Sequence, residues 1–277
     1  MRNCLFTGLA TLLFIGSAPA GFAADCAVKA PSELATPGSL SFGTTNPPPP
    51  PGLAPPPQAG FEFDLADALA QRMCLKPNFV ALAFAGLFPA LNAKKFDAVI
   101  AAVGISPERQ QTYDFVPYFL GGLRLVVRKD SGLFFKDEKE VCGHSVAALA
   151  GSVEVRDLDK YKDSCPAGQP MDMRIFPTNN EILEQLRKRT VEVIFIDWPP
   201  AAFIVHENPQ DFALGSPILT GEPPGVPRHR NGIMLRKGDD AMRTAITEAM
   251  EKLQADGTYE KLLAKWNLSE GDVRHGD

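Results

Sequence analysis

Residues 96–109 read FDAVIAAVGISPER, and they indicate the fold class more clearly than any other part of the chain. Their first half, Phe96–Ala102, is almost wholly apolar, which is typical of a strand that is buried on both faces of a sheet. Ser106 then suits the N-cap of a helix, and Pro107 suits its first position. We therefore predict a buried strand that leads directly into a helix, with Arg109 in the first turn of that helix.

Strands alternate with helices in the same way along most of the chain. Residues 191–196, VEVIFI, repeat the pattern of the buried strand. Further strands are predicted at Leu40–Gly43, Phe79–Leu82, Val146–Leu149 and Met173–Phe176. Helices are predicted at Asp64–Met73 with Asp64 as N-cap, Gly86–Asn92, Ser152–Tyr161 and Thr178–Arg189, the last with a Thr178 and Glu181 capping box. Two such α/β units in series predict two lobes with parallel-rich sheets and a ligand cleft between them.

The start of the chain predicts export. Arg2 is followed by the apolar run Leu5–Gly16 and by small residues up to Ala24, which together are typical of a secretory signal peptide. The apolar run is only about a dozen residues long, whereas a membrane-spanning helix needs roughly 20. We expect residues 1–23 to be removed and the mature protein to be free in the periplasm.

Charge and composition limit the partners. The 277 residues carry a formal net charge of −5, so we expect neither nucleic acid nor another polyanion as a partner. Two proline runs, Pro47–Pro51 and Pro55–Pro57, indicate a stiff polyproline II loop, which has either no direct role or the role of a rigid rim on the cleft.

Four cysteines remain after the signal peptide and its Cys4 are removed: Cys26, Cys74, Cys142 and Cys165. An even number in an oxidising compartment favours disulfides, and four cysteines allow three pairings. We favour Cys26 with Cys74 and Cys142 with Cys165, because the apolar blocks between Cys74 and Cys142 look like one self-contained lobe. The alternative is buried free thiols. No CxxC motif is present, so we expect no metal and no cofactor.

Three strand-to-helix junctions carry groups that could bind a small zwitterion. Arg109, beside unpaired backbone N–H groups of a helix start, could bind a carboxylate in two parallel hydrogen bonds. Gly151 and Ser152 could bind the same carboxylate from the other lobe. Asp197 follows the VEVIFI strand and could bind an ammonium group. The alternatives are a surface arginine paired with an acid, an ordinary N-cap at Ser152, and simple helix capping by Asp197.

Five sequence blocks in order carry a family resemblance that covers nearly the whole mature chain. They are GFEFDLADALAQRM (Gly60–Met73), FAGLFPALNAKKFDAVIAAVGISPERQQTYDFVPYF (Phe84–Phe119), LRLVVRK (Leu123–Lys129), VEVIFIDWPPAAFIV (Val191–Val205) and KLQADGTYEKLLAKWNL (Lys252–Leu268). With these blocks the chain resembles the polar amino-acid-binding proteins of bacterial ABC transporters, the extracellular solute-binding family 3.

The resemblance implies a type II periplasmic-binding fold, in which two α/β lobes are joined by two hinge segments. Residues 24–128 and 220–277 would form lobe 1, and residues 129–219 would form lobe 2. The hinges would lie near Leu125 and Thr220. The pairing of Cys142 with Cys165 also matches a lobe 2 disulfide that is found in many relatives.

The same resemblance implies roles for the site residues. Arg109 would bind the ligand α-carboxylate, and Asp197 would bind its α-ammonium group. The lobe 1 wall would comprise Ser106 and the backbone of Ala101 and Ala102, and the lobe 2 carboxylate turn would comprise Gly151 and Ser152.

The chain departs from the family pattern at the predicted site. Gly104, which we still expect to line the site, and Val153 stand where hydroxyl side chains are usual. Residues 44–51, TTNPPPPP, lack the aromatic residue that normally packs on the ligand, and residues 227–233 are unusually basic. These departures favour an amino-acid-like ligand over any particular amino acid.

The resemblance therefore implies a monomeric periplasmic receptor that delivers an amino acid or a related small carboxylate to an ABC transporter permease. One alternative is a dehydratase-type enzyme on the same fold, acting on small carboxylic acids. The catalytic motifs HExxH, GxSxG and the P-loop are missing, and the histidines are scattered, so we expect a binding protein and not an enzyme. A sensing module of a membrane receptor or a structural exported protein is a further alternative.

Overall fold

The computed structural model describes residues 26–45, 60–219 and 230–275. The predicted signal peptide, both proline runs and Thr220 lie outside the described residues, as do residues 227–229 of the basic segment. Among the described residues, no helix is both long enough and apolar enough to cross a bilayer. The same residues contain no group of three or more side chains that could hold a metal ion.

The described ranges form ten strands and eight α-helices. The strands are β1 (Ser39–Thr44), β2 (Lys76–Ala81), β3 (Ala98–Val99), β4 (Tyr113–Leu120), β5 (Leu123–Arg128), β6 (Ser145–Leu149), β7 (Asp172–Phe176), β8 (Val193–Asp197), β9 (Phe212–Leu214) and β10 (Arg230–Arg236). The helices are α1 (Phe61–Arg72), α2 (Phe84–Asn92), α3 (Pro107–Thr112), α4 (Val153–Lys162), α5 (Asn179–Arg187), α6 (Trp198–Glu207), α7 (Asp240–Ala255) and α8 (Thr258–Lys265).

The strands are arranged in two five-stranded sheets. The first has the order β2-β1-β3-β10-β4, and the second has the order β7-β6-β8-β5-β9. In the first sheet β1 is parallel to β2 and β3, whereas β10 is antiparallel to both of its neighbours. In the second sheet β6 is parallel to β7 and β8, whereas β5 is antiparallel to β8 and β9. The prediction of two successive α/β units is confirmed, but each sheet is mixed, with two parallel and two antiparallel pairings, so the prediction of parallel-rich sheets is wrong.

The chain crosses between the sheets twice. Only Gly121 and Gly122 separate β4 of the first sheet from β5 of the second, and the return runs from β9 to β10. The two crossing segments bind each other, because the Leu123 N–H donates to the Leu219 carbonyl at 2.7 Å and the Leu219 N–H donates back at 2.8 Å. The two segments that join the sheets are thus paired with each other at Leu123 and Leu219.

The position of β5 corrects the predicted lobe boundary after residue 128. Leu125, near which the first hinge is predicted, is fully buried in the middle of β5 and pairs with Phe195 of β8. Residues 123–128 therefore belong to the second sheet, and the first crossing lies at Gly121 and Gly122. The apolar run shows that a strand is present but does not show which sheet it joins. The division into lobes stays a prediction, with this earlier boundary.

Several predicted elements have different ends in the structure. The helix predicted to start at Asp64 begins at Phe61, after Gly60, so Asp64 is not its N-cap. The Asp64 carboxylate instead accepts hydrogen bonds from Lys265 and from the Trp266 indole N–H, both at 2.7 Å. The prediction missed this partner because it comes from the other end of the chain.

The strand predicted at residues 96–102 is limited to β3, Ala98–Val99, in the structure. Asp97 is 1% exposed, and its carboxylate accepts hydrogen bonds from the backbone N–H groups of Ala35 at 2.7 Å and Ser41 at 2.8 Å. Ala102, at the other end, has a φ of 49°, a left-handed conformation that turns the chain out of the sheet. The whole stretch is nonetheless buried, as predicted.

The predicted helix start at Ser106 is confirmed. Its hydroxyl accepts the Arg109 N–H at 3.2 Å, and Pro107 occupies the first position of α3. Thr178 caps α5 in the same way by accepting the Glu181 N–H at 3.2 Å.

Both predicted disulfides are present. Cys26 pairs with Cys74, with a Cα–Cα distance of 5.2 Å, and Cys142 pairs with Cys165, with a Cα–Cα distance of 5.5 Å. The first closes a segment of the first sheet's layer, and the second links the approach to β6 with the end of α4. Each sheet with its helices therefore carries one covalent link.

Candidate functional site

A cavity lies where the carboxyl ends of the parallel strands of both sheets face each other. Residues at or just after the ends of β1, β3, β6 and β8 line it, together with residues of six helices. It encloses about 430 Å³, including the solvent at its mouth. Ligands commonly bind at the carboxyl ends of strands in open α/β sheets, and this cavity is therefore the candidate site.

Arg109 projects into this cavity from the first turn of α3. Its Nη1 donates to the Gly104 carbonyl at 2.8 Å, and its Nη2 donates at 3.3 Å to the Gly151 carbonyl, which belongs to the second sheet's layer. The guanidinium carbon lies 5.8 Å from the ring centroid of Phe84 and 5.3 Å from that of Phe88. These contacts hold a cation at the junction of the two layers.

The electrostatics of Arg109 reflect this enclosed position. Burial lowers the pKa of Arg109, the charge of Arg156 adds to that effect, and the carboxylates of Asp197 and Glu154 oppose it. An arginine side chain nevertheless keeps its charge at neutral pH. The cavity thus contains a permanent cation that two nearby carboxylates favour.

Asp197 ends β8 on the opposite wall and is 7% exposed. It stands at the N-cap position of α6, but its side chain accepts no capping hydrogen bond. Its Oδ1 accepts a hydrogen bond from Asn231 of β10 at 3.4 Å, and its backbone N–H donates to Glu154 Oε1 at 2.9 Å. The alternative of simple helix capping by Asp197 is therefore wrong, and its carboxylate lines the cavity.

Gly151 and Ser152 form the turn between β6 and α4. Gly151 has a φ of 78°, which favours glycine, and its carbonyl accepts the hydrogen bond from Arg109. The Ser152 hydroxyl is buried and makes no hydrogen bond of ordinary geometry within the described part of the chain. It also makes no capping bond to α4, so the alternative of an ordinary side-chain N-cap is wrong.

The structure brings together most of the predicted site residues. Six of them line the cavity: Arg109, Asp197, Gly104, Ala101, Ala102 and Ser152. Ser106 instead caps α3 behind Arg109, and Gly151 contributes its carbonyl to Arg109. The Ala102 N–H, predicted to face a ligand, donates to Glu62 Oε1 at 2.6 Å. Contact of these residues with a ligand stays a prediction.

Glu62 of α1 lines the cavity, and the sequence analysis gave it no role. Its Oε1 also accepts a hydrogen bond from the Tyr118 hydroxyl. Burial raises the pKa of Glu62 to about 7, the two hydrogen bonds from Tyr118 and Ala102 oppose this shift, and the charge of Asp197 adds to it. The motif GFEFD marks the helix start, but it does not show that the first acid turns inward.

Glu154 in the first turn of α4 is the second carboxylate that the sequence analysis missed. It is 2% exposed, and burial, together with the charge of Asp197, raises its pKa to about 7. Acids are common in the first turn of helices, where they favour the helix dipole, so the sequence gives Glu154 an ordinary surface role. Its burial results from the approach of β8, which sequence spacing does not reveal.

Asn179 and Phe84 are two further lining residues that were not predicted. Asn179 follows the N-cap of α5, is 8% exposed, and its amide oxygen has no hydrogen bond within the described ranges. Phe84 supplies an aromatic wall from α2, whereas the aromatic residue expected after β1 is absent from that segment of the sequence. Gly104 and Val153, the two departures from the family pattern, both line the cavity and offer it no hydroxyl.

Two α/β sheets, joined by a paired crossing and facing each other across a charged cavity, define a two-lobed binding protein. The chain belongs to the bacterial extracellular solute-binding proteins, family 3, whose sequence profile matches residues 40–269. It has the α/β periplasmic-binding fold that the resemblance implied.

Relatives and solved structures agree with this membership. The histidine-binding periplasmic protein of Escherichia coli (strain K12) is 30% identical over 211 residues, which is 75% of this chain and 78% of the relative. The L-cystine-binding protein TcyJ of the same strain is 28% identical over 209 residues, or 75% of this chain and 73% of the relative. An ancestral arginine-binding protein bound to arginine has a TM-score of 0.69 at 31% identity and covers 83% of this chain and 98% of its own. These relatives are amino-acid-binding proteins.

Proposed function

We propose that this protein is a periplasmic receptor that binds an amino acid, or a closely related small carboxylate, and delivers it to the permease of an ABC importer. One observation carries the proposal. Arg109 and Asp197, with opposite charges and from opposite sheet layers, line the same cavity. An α-amino acid carries a carboxylate and an ammonium group on one carbon. The carboxylate can pair with Arg109, and the ammonium group can pair with Asp197.

The hydrogen bonds of Arg109 suggest how the carboxylate binds. The bond to Gly104 is short at 2.8 Å, whereas the bond to Gly151 is long at 3.3 Å. A ligand carboxylate is a stronger acceptor than a backbone carbonyl, because hydrogen bonds between ionised partners are shorter and stronger. The carboxylate would therefore replace the Gly151 carbonyl at Nη2, and the unused Ser152 hydroxyl would donate to the same group.

The position of the two charges also suggests how binding is coupled to closure. A ligand held by Arg109 and Asp197 contacts both sheet layers at once, and these contacts exist only when the layers are close together. Ligand binding therefore favours the closed arrangement over the open one, which is the condition for a ligand to shift such an equilibrium. The permease would recognise the closed form, and the link at Gly121 and Gly122 would act as the first hinge.

Export, a monomeric state and delivery to a permease are parts of the same proposal. The relatives named above as periplasmic support the compartment, and the apolar N-terminal run supports a cleaved signal. Sequencing the N-terminus of the exported protein would test residues 1–23 as the removed segment. A mature protein that still starts at Met1 would contradict it.

Isothermal titration of the refolded, ligand-free protein with the common amino acids tests the receptor proposal. Arg109→Ala should weaken the tightest ligand by roughly 30-fold or more, because it removes one partner of an enclosed charge pair. Arg243→Ala is the matched control, since Arg243 forms an exposed pair with Asp240. Ligand recovered unchanged after incubation supports a receptor, whereas turnover supports the enzyme alternative. Absence of binding to every common amino acid and, in a second panel, to closely related small carboxylates would contradict the proposal.

A further inference from the structure

The cavity contains more negative groups than an amino acid backbone needs. Three acids, Glu62, Glu154 and Asp197, and one cation, Arg109, stand among the described residues that line it. The carboxylate and ammonium groups of an amino acid would bind Arg109 and Asp197. Within the described part of the lining, Glu62 and Glu154 would then face the ligand with no further cation beside them.

Glu154 has an unfilled hydrogen-bonding position within this cavity. Its Oε1 accepts the backbone N–H of Asp197 at 2.9 Å, which holds the carboxyl group in place. Its Oε2 is buried and makes no hydrogen bond of ordinary geometry within the described ranges, although the Ser152 side chain is near enough to lower the pKa of Glu154. A buried acceptor without a donor costs about 1–3 kcal/mol, and more when it is charged. Glu154 lines the cavity, so a ligand could supply a hydrogen-bond donor to Oε2.

Asn179 is placed to share such a donor. Its side chain lines the same cavity, is more than nine-tenths buried, and its amide oxygen also makes no hydrogen bond to the described residues. Two unfilled polar groups and an excess of carboxylates require a ligand group that is positively charged and rich in N–H donors. A guanidinium or a side-chain ammonium meets both requirements, whereas an aliphatic or acidic side chain meets neither.

We infer that the site selects amino acids with a second cationic group, and that Glu154 is the specificity-determining residue that binds this group, with Asn179 beside it. The inference rests on the proposed function, since the α-carboxylate and α-ammonium groups must first occupy Arg109 and Asp197. Beyond the proposed function, it specifies the chemical class of the ligand's side chain. Glu62 adds a second carboxyl group to the same wall of residues, and its ionised form favours the same class.

Matched ligand pairs test the inference without any variant. L-Arginine and L-citrulline have nearly the same shape, but citrulline lacks the charge, and L-lysine and L-norleucine form a second pair. The wild-type protein should bind the cationic member of at least one pair roughly 30-fold tighter or more, because the neutral member leaves a buried carboxylate unpaired. Equal binding, or tighter binding of the neutral members, would overturn the inference and leave the receptor proposal intact. Failure to bind any amino acid would overturn both.

Glu154→Gln tests the residue itself. The variant keeps the shape of the side chain and removes its charge, so the preference for the cationic member should fall towards unity while affinity for the neutral member is retained. Glu184→Gln is the matched control, because Glu184 is an exposed residue paired with Lys188 at 3.1 Å. A preference that persists in Glu154→Gln would overturn the assignment. An equal loss for all ligands would also overturn it, because Glu154 would then bind the α-ammonium group with Asp197.

Discussion

Replacing Glu154 by glutamine removes one charge from the cavity and leaves the shape of the side chain nearly unchanged. In the ligand-free protein this substitution should increase the free energy of unfolding, although it removes a native side chain. The reason is the pKa of Glu154, which burial, and then the charge of Asp197, raise from 4.5 to about 7. The fold therefore opposes ionisation of this group.

The size of the effect depends on pH. The native state holds the Glu154 proton up to about pH 7, whereas the unfolded chain releases it near 4.5, so the free energy of unfolding falls as pH rises through this window. Each pKa unit of difference between the native and the unfolded state corresponds to about 1.36 kcal/mol in the free energy of unfolding. The raised pKa of Glu154 therefore lowers the free energy of unfolding of the wild type by about 3 kcal/mol at about pH 8 and by about 1 kcal/mol at about pH 5. Glutamine carries no charge in the native or the unfolded state, so the Glu154→Gln variant does not lose this free energy at either pH.

Urea unfolding of wild type and Glu154→Gln at the two pH values measures this difference directly. Both proteins must first be refolded to remove bound ligand, because a ligand stabilises the native state by mass action. Glu62 also has a raised pKa, but it is present in both proteins, so the difference between them isolates Glu154. A stabilisation that is equal at both pH values, or a destabilisation at about pH 8, would show that the Glu154 carboxyl is not held in a desolvated position.

Three further substitutions test other parts of the structure by their effect on the free energy of unfolding in urea. Gly151→Ala should cost roughly 1 kcal/mol or more, since alanine is strained at a φ of 78° and its Cβ would lie 3.5 Å from that of Ala85; no loss would show that the turn adapts. Cys142→Ser with Cys165→Ser should cost about 3 kcal/mol for a separation of 23 residues, and an unchanged stability would place the link in a region that stays structured without it. Asp97→Ala should cost about 2 kcal/mol or more, because two backbone N–H groups lose their acceptor, whereas a neutral effect would mean that water replaces it.

Local signals in the sequence were sufficient for the elements that position the site. Ser106 and Pro107 predicted the start of α3, and with it the position of Arg109, because a cap depends on residues within one helical turn. The apolar run before Asp197 predicted a buried strand, and β8 ends at this aspartate. The disulfide pairs were predicted from the apolar blocks between Cys74 and Cys142, which look like one self-contained lobe, and from the family resemblance for Cys142 with Cys165. Both pairs are present in the structure.

Features that depend on distant partners were not predicted. The apolar pattern of residues 123–128 predicts a strand but is compatible with either sheet. Their pairing with β8 and β9 places them in the second sheet. Glu154 has the sequence context of a solvent-exposed acid at a helix start, and its burial arises from the approach of Asp197, which is far away in sequence. Asp64 was predicted as a helix cap from its local sequence. Its actual partner, Trp266, lies near the other end of the chain and could not be found from local sequence.

A crystal structure of the protein with its tightest amino acid ligand is the most direct test of the proposed binding geometry. We expect one ligand in the cavity, with its α-carboxylate within hydrogen-bond distance of both Arg109 Nη atoms or of Nη2 and Ser152 Oγ, and with its α-ammonium group at Asp197. We also expect that the Gly151 carbonyl no longer accepts a hydrogen bond from Arg109. A ligand bound outside the cavity, or one whose carboxylate lies away from Arg109 while the bond to Gly151 persists, would show that Arg109 is not the carboxylate-binding residue.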